Sequence, residues 1–208
     1  MEKPVTLDAP LTSLPGIGPQ RAALFARLNV RTVGGLLRLY PRTYEDRTRL
    51  VSIASLEAGT PACFEAAVVT TPRTNRIPKP GSRMLEVTKF TVADDTGRLN
   101  LTFFNAAHSA GALRVGERYC FYGVLTGDFA AYGMTNPLFE PCDGPAHVTR
   151  RILPVYPLTA GLTNSMVLRA QAQAVSRCAG LLPETLPPEL LRRYGLCGAA
   201  EACREIHC

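Results

Sequence analysis

The sequence of 208 residues has no tryptophan, only three histidines and no apolar run long enough to cross a membrane. A membrane-spanning helix needs about 20 mostly apolar residues. The N-terminus also lacks the basic and then apolar pattern of a secretory leader. The seven cysteines form no C-x-x-C pair, and an odd number without framework spacing is typical of reduced thiols. These absences predict a cytoplasmic protein without a membrane anchor.

Motifs that carry enzymatic chemistry are missing as well. The sequence has no G-x-x-x-x-G-K-[ST] loop to hold nucleotide phosphates and no G-x-S-x-G nucleophile elbow. The histidines, His108, His147 and His207, are far apart and lack cysteine or carboxylate neighbours at ligand spacing. We therefore expect no catalytic residue, no metal site and no cofactor in this chain.

The composition fits a folded protein, with 46% hydrophobic and 19% charged residues. A formal net charge of +6 weakly favours a polyanionic partner. The densest basic segment, residues 71–83, carries Arg73, Arg76, Lys79 and Arg83 without any acidic residue. Either a solvated loop tip or a loop that contacts phosphates fits this pattern.

Residues 1–60 predict a helical lead-in, because apolar side chains recur there at helical intervals. The segment Gly16-Ile17-Gly18 stands directly before the first helix. It resembles the hairpin of helix-hairpin-helix modules, whose backbone N–H groups can hold a phosphate. Alternatively, the glycines only form a tight turn and Pro19 begins the helix at its first position.

Residues 61–143 alternate with a period of two and predict a β-domain. A hairpin turn is expected at residues 94–97, and a short helix is expected within residues 106–113. Three strands, a helix and two more strands are the order of an OB-fold barrel. The five expected strands are Ala62–Val69, Leu85–Ala93, Arg98–Asn105, Arg118–Thr126 and Phe129–Asn136.

Residues 144–208 predict an extended, proline-rich linker followed by helices. The expected fold is therefore mainly β with flanking helices: a helical lead-in (1–60), a five-stranded OB-fold barrel (61–143) and a helical linker (144–208).

Two adjacent phenylalanines end the third expected strand. If Leu99, Leu101 and Phe103 point into the barrel, strand alternation turns Phe104 outward. OB-folds that bind single strands lay bases on such exposed rings. Alternatively, the Phe104 ring packs beneath the helix that follows.

Five segments in this order resemble the N-terminal wedge region of the RecG family, bacterial ATP-dependent helicases that remodel branched DNA at stalled forks. They are PLTSLPGIGPQRAALFARLNVRTVGGLLRLYPRTYEDR, VADDTGRLNLTFFN, LRVGERYCFYGVL, GMTNPLFEP and ILPVYPLTAGL. The resemblance implies a wedge that splits DNA strands, with Phe104 stacked on a base. His108 falls at the second stacking position, where a tyrosine is common in the family.

With this resemblance, we expect the chain to bind branched or single-stranded DNA. Phe104 and the basic segment 73–83 would make the main contacts, and Asn105, His108 and Arg98 secondary ones.

The resemblance also implies two motor domains downstream, which would bind ATP and magnesium and would be partners in cis. The chain stops within a helical pattern, as if cut before them, and we expect a monomer. An alternative is a docking module for those domains that binds little DNA by itself. It predicts exposed apolar side chains after residue 160: Met166, Leu168, Val175, Leu181, Leu190 and Leu191.

Overall fold

The computed structural model describes residues 5–78, 84–127 and 132–207, so Lys79 and Arg83 of the basic segment lie outside the described residues. The chain divides into two compact units, Met1–Glu45 with Leu153–Cys208, and Asp46–Ile152. The sequence-based boundaries at residues 60 and 143 differ from this division, which groups the two ends of the chain. None of the described helices is long and apolar enough to span a bilayer.

The described residues form helices and strands in the following order. The helices are α1 (Pro19–Ala26), α2 (Val33–Leu37), α3 (Ala107–Ala110), α4 (Asn164–Cys178), α5 (Pro188–Tyr194) and α6 (Ala199–His207). The strands are β1 (Thr43–Asp46), β2 (Leu50–Val51), β3 (Pro61–Val68), β4 (Arg73–Ile77), β5 (Leu85–Ala93), β6 (Arg98–Phe104), β7 (Arg118–Thr126), β8 (Gly133–Thr135), β9 (Leu138–Pro141) and β10 (Ile152–Val155). Strand β1 pairs with β10 in a separate sheet.

The unit formed by the two chain ends has a helical core. Thr32 caps α2 by accepting from the Gly35 N–H, and Thr163 caps α4 by accepting from the Met166 N–H. Both caps satisfy N–H groups that a helix start leaves without a partner. The core contains apolar side chains from both ends of the chain, among them Leu11, Phe25, Leu36, Leu37, Tyr156, Val167 and Ala174.

The unit Asp46–Ile152 is a closed barrel. Its strands follow the order β3-β5-β6-β8-β7, and β7 pairs back with β3. This confirms the expected five-stranded OB-fold barrel. The entry and exit of this unit are joined, because the Arg47 N–H donates to the Arg151 carbonyl (3.1 Å). The barrel interior is filled by large apolar side chains: Phe64, Phe90, Leu101, Phe103, Phe121 and Met134.

A hairpin turn sets the register of β5 and β6. The Asp94 carboxylate accepts from the backbone N–H groups of Thr96, Gly97 and Ile53. Burial opposes ionisation of Asp94, but these hydrogen bonds outweigh it and lower the pKa of the carboxyl. The turn places Ala93 opposite Arg98 and, further along, Val87 opposite Phe104.

The loop expected for the basic segment is wrong in part. Residues Arg73–Ile77 of this segment form the strand β4, which pairs with β5. All five residues are exposed and mostly polar, so the hydrophobic alternation that reveals a half-buried strand is missing. Backbone hydrogen bonds to β5 and the pair of hydroxyls Thr74–Thr88 (2.8 Å) hold the strand instead.

Candidate nucleic-acid interface

The two adjacent phenylalanines of β6 lie on opposite faces of the sheet. Phe103 is buried in the barrel, with 3% of its surface exposed, whereas Phe104 is 38% exposed. This confirms that Phe104 points outward. An exposed ring at the end of a barrel strand has the geometry that base stacking requires.

Two asparagines fix the backbone around the Phe104 ring. The Phe104 N–H donates to Asn136 Oδ1 (2.7 Å), and the Asn136 N–H donates to the Thr102 carbonyl (2.8 Å). On the other side, the Asn105 N–H donates to the Glu86 carbonyl (2.8 Å), and Asn105 Oδ1 accepts from the Glu86 N–H (3.2 Å). Both asparagines have positive φ, 46° at Asn136 and 51° at Asn105, a region that asparagine tolerates. The strand end is therefore held in place before any ligand arrives.

The register gives Phe104 a cationic neighbour that the sequence reasoning missed. Lys89 pairs with Thr102, which precedes Phe104 by two residues. Lys89 and Phe104 therefore share one face of the sheet as diagonal neighbours, about 7–8 Å apart. Arg73 of β4 pairs with Lys89 from the other side and extends the same face. The sequence did contain the information for this pairing, because the hairpin turn at residues 94–97 determines which residues of β5 and β6 face each other.

A groove of about 710 Å³ runs along this face and is lined by Arg73, Lys89 and Thr102. Its floor is formed by the outward side chains of β5 and β6, where the Thr91 hydroxyl donates to Asn100 Oδ1 (2.9 Å). Arg73 lies on one wall and Tyr132 on the other. Neither Arg73 nor Lys89 has a carboxylate partner among residues 5–78, 84–127 and 132–207. The groove thus combines positive charge with an aromatic wall.

Arg76 does not belong to this face. Alternation along β4 turns it away from Arg73, and its guanidinium forms an ion pair with Glu86 (3.0 Å). The segment that looked free of acids in the sequence is thus partly neutralised by the neighbouring strand.

The other candidate contacts are dispersed. Arg98 is exposed at the opposite end of β6, six residues from Phe104 and about 20 Å away along the strand. His108 is exposed on α3, in the helical turns that follow Phe104. The side-chain oxygen of Asn105 is used in holding β5, as described above. Arg73 therefore lies on the face of Phe104, whereas Arg76 lies on the opposite face of β4. Arg98 shares the outer face of β6 with Phe104 but lies at its far end.

The glycine hairpin near the N-terminus is a tight turn. Gly16 has a φ of +78°, Ile17 is buried, and Gly18 precedes α1 with Pro19 in its first turn. Arg21 closes the turn by donating to the Gly16 carbonyl (2.5 Å). On the N-terminal side of the glycine turn, the chain forms a short 3-10 turn at Leu11–Ser13 and not the α-helix of a helix-hairpin-helix module. Phosphate binding by Gly16, Ile17 and Gly18 stays a prediction.

Behind the barrel, a buried carboxylate organises the segment that follows β9. Glu140 accepts from the backbone N–H groups of His147, Val148 and Thr149, all at 3.0 Å, and from the Thr149 hydroxyl. Burial opposes ionisation of Glu140, but these hydrogen bonds prevail and lower its pKa. The Arg47 guanidinium lies 3.6 Å from the centre of the Tyr122 ring and donates to the Val148 carbonyl.

The family model of the RecG wedge domain matches residues 11–177. The chain belongs to the RecG wedge domain family. It is 33% identical to the ATP-dependent DNA helicase RecG of Escherichia coli K12 over 97% of its length, and 24% identical to that of Thermotoga maritima over 98%. The chain spans only 28% of the length of the Escherichia coli relative and 26% of the length of the Thermotoga maritima relative.

A solved structure of RecG bound to a three-way DNA junction has the same fold. It matches all of this chain with a TM-score of 0.83 at 24% identity, and the match covers 28% of that longer chain. The RecG wedge fold is therefore preserved at low sequence identity.

Proposed function

We propose that this chain is the DNA-gripping part of a RecG-like, ATP-dependent DNA helicase and binds branched or single-stranded DNA. The observation that carries the proposal is the exposed Phe104 ring on the same face as Lys89 and Arg73, which line a groove. Membership of the RecG wedge family supports it.

The chemistry of the face suits an unpaired strand. A base stacked on an aromatic ring contributes roughly 1–3 kcal/mol, and nearby cations guide the phosphate backbone. Phe104 provides the ring at the end of β6, and Lys89 and Arg73 lie along the path that the backbone would follow across β5 and β4. The hydrogen bonds of Asn105 and Asn136 already hold the backbone around Phe104 in the free chain. Binding of DNA therefore costs little conformational entropy at this strand end.

ATP hydrolysis belongs to the part of the relatives that this chain does not span. The relatives are described as ATP-dependent DNA helicases, and this chain corresponds to 28% of the Escherichia coli protein. The sequence lacks a nucleotide-phosphate loop. We therefore assign binding to this chain, and ATP and magnesium to the remaining domains.

Titration with three DNAs tests this function. The purified chain should bind a three-way junction more tightly than single-stranded DNA, and single-stranded DNA more tightly than duplex, at each of several salt concentrations. Phosphate contacts should make log affinity fall with log salt, by roughly 0.7–0.9 for each contact. Equal and weak binding to all three DNAs would refute the proposal.

Two arginines three residues apart provide a matched comparison. Arg73→Ala should weaken junction binding and reduce the salt slope by roughly 0.7–0.9, because one phosphate contact is lost. Arg76→Ala removes the same charge from the other face of β4, where Glu86 already pairs with it, and should change the slope less. If the two variants have the same salt slope in fluorescence-anisotropy titrations, the DNA does not follow the groove face.

A second function, docking of the absent helicase domains, is favoured by the helical unit. Helix α5 has no buried residue. Apolar side chains are exposed around it: Leu181, Leu186, Leu190, Tyr194 and Leu196. Val175, expected on such a surface, is instead buried in the core, and Met166 and Leu168 pack against it. A chain that binds none of the DNAs but self-associates during sedimentation would favour docking over DNA binding.

A further inference from the structure

Three metal-ligating side chains converge on the outer face of the barrel, away from the groove. Glu65 of β3 lies directly opposite Cys120 of β7, and Cys142 follows β9 on the other side of β7. One potential ligand atom from each lies within 4.8 Å of the other two. The two sulfur atoms are 3.3 Å apart.

These atoms have the chemistry and spacing of a small metal site. Thiolate sulfur and carboxylate oxygen bind zinc at about 2.3 Å and 2.0–2.2 Å. Ligands around one tetrahedral ion are therefore about 3.5–3.8 Å apart, so shifts of roughly 1 Å would gather the three groups around a cation. Sulfur ligands select soft ions over magnesium or calcium.

The surroundings also fit a cation. Arg118 donates to one oxygen of the Glu65 carboxylate (2.7 Å), and a carboxylate has a second oxygen to offer. Such a partner orients a ligating carboxylate. Two thiolates and a carboxylate around a divalent ion carry a net charge of −1, which the Arg118 guanidinium balances.

The two thiols of the cluster are shielded from bulk solvent. Cys120 is fully buried and Cys142 is half-buried. A cation would bind both groups as thiolates, because metal binding releases the thiol protons.

Sequence spacing gave no sign of this cluster. Zinc was excluded above because the histidines are scattered and no C-x-x-C pair exists. Glu65 and Cys120 come from two strands and Cys142 from the residue after β9, and the β3–β7–β9 pairing brings them together.

We propose that Glu65, Cys120 and Cys142 bind a soft divalent cation of the zinc class, with solvent in the fourth position. The site would tie the start of the segment after β9 to β7 and β3. It lies on a different face from Phe104 and is independent of the proposed DNA binding.

Cobalt provides a direct test on the whole chain. After reduction and treatment with a chelator, titration with Co²⁺ alone should produce a sulfur-to-cobalt charge-transfer band that Zn²⁺ abolishes. Cys120→Ser should eliminate the band, and Glu65→Gln should weaken Co²⁺ binding at least roughly tenfold. Cys197→Ser changes an exposed thiol of the other unit and should leave the titration unchanged.

Several results would overturn the site. One is a reduced chain without a charge-transfer band, and another is a band of equal strength when residue 120 is serine. If Cys120→Ser does not fold by circular dichroism, the variant of the half-buried Glu65, Glu65→Gln, decides. Unchanged Co²⁺ affinity in that variant excludes the carboxylate. Quantitative recovery of a Cys120–Cys142 disulfide from freshly purified, metal-replete chain would also contradict the proposal.

Discussion

Phe104→Ala should weaken binding of a three-way DNA junction by about 1–3 kcal/mol, or roughly 5- to 150-fold, and leave the unfolding temperature unchanged. The ring is 38% exposed and the barrel core does not depend on it. Its loss therefore removes a stacking platform but little packing. Binding is measured by fluorescence anisotropy and stability by thermal unfolding.

The neighbouring residue is the matched control. Phe103→Ala removes an identical ring from the barrel core, where it stacks on Phe90 with centroids 5.7 Å apart. It should reduce the free energy of unfolding by about 3–5 kcal/mol. If Phe104→Ala lowers the unfolding temperature as Phe103→Ala does, Phe104 contributes to packing. Unchanged junction affinity in Phe104→Ala would exclude base stacking on this ring.

Glu140→Ala should reduce the free energy of unfolding by about 3 kcal/mol. The carboxylate receives three backbone N–H groups and one hydroxyl from residues 147–149, and the variant leaves these donors without a partner. Urea unfolding measures the loss. Glu117→Ala, at an exposed position, should change stability by no more than about 0.5 kcal/mol.

The same carboxylate predicts a pH dependence. Because the pKa of Glu140 is lower in the folded chain than in the unfolded chain, its stabilising effect is fully present above the unfolded value. It is lost as the pH falls through the folded value. The difference in stability between the wild-type chain and Glu140→Ala should therefore shrink on acidification. A difference that is constant between neutral and acidic pH would contradict this assignment.

The barrel could be predicted because its strands follow simple rules. Alternation in β6 buries Leu99, Leu101 and Phe103 and leaves Phe104 exposed, as the structure has it. The turn at residues 94–97 fixes which residues of β5 and β6 face each other. Lys89 was therefore predictable as the neighbour of Phe104. It was missed because it is an isolated cation in the sequence, whereas the cations of the basic segment are clustered.

The rest depended on contacts that sequence spacing does not encode. Arg76 is partnered by Glu86 only because β4 pairs with β5. Asn136 reaches the Phe104 backbone from 32 residues away, and Glu140 binds a segment without regular structure. An exposed polar strand such as β4 has no apolar alternation to reveal it.

The barrel is an insertion within the helical unit, and the backbone hydrogen bond between Arg47 and Arg151 brings the two ends of the insertion together. The chain leaves the helical unit, forms the barrel and returns beside the point at which it left. The helical unit therefore has to accommodate only two closely spaced chain segments. Elements with adjacent ends are the ones that tolerate insertion and exchange between proteins. Such an arrangement lets the outer face of the barrel change in sequence while the flanking helices keep their own packing.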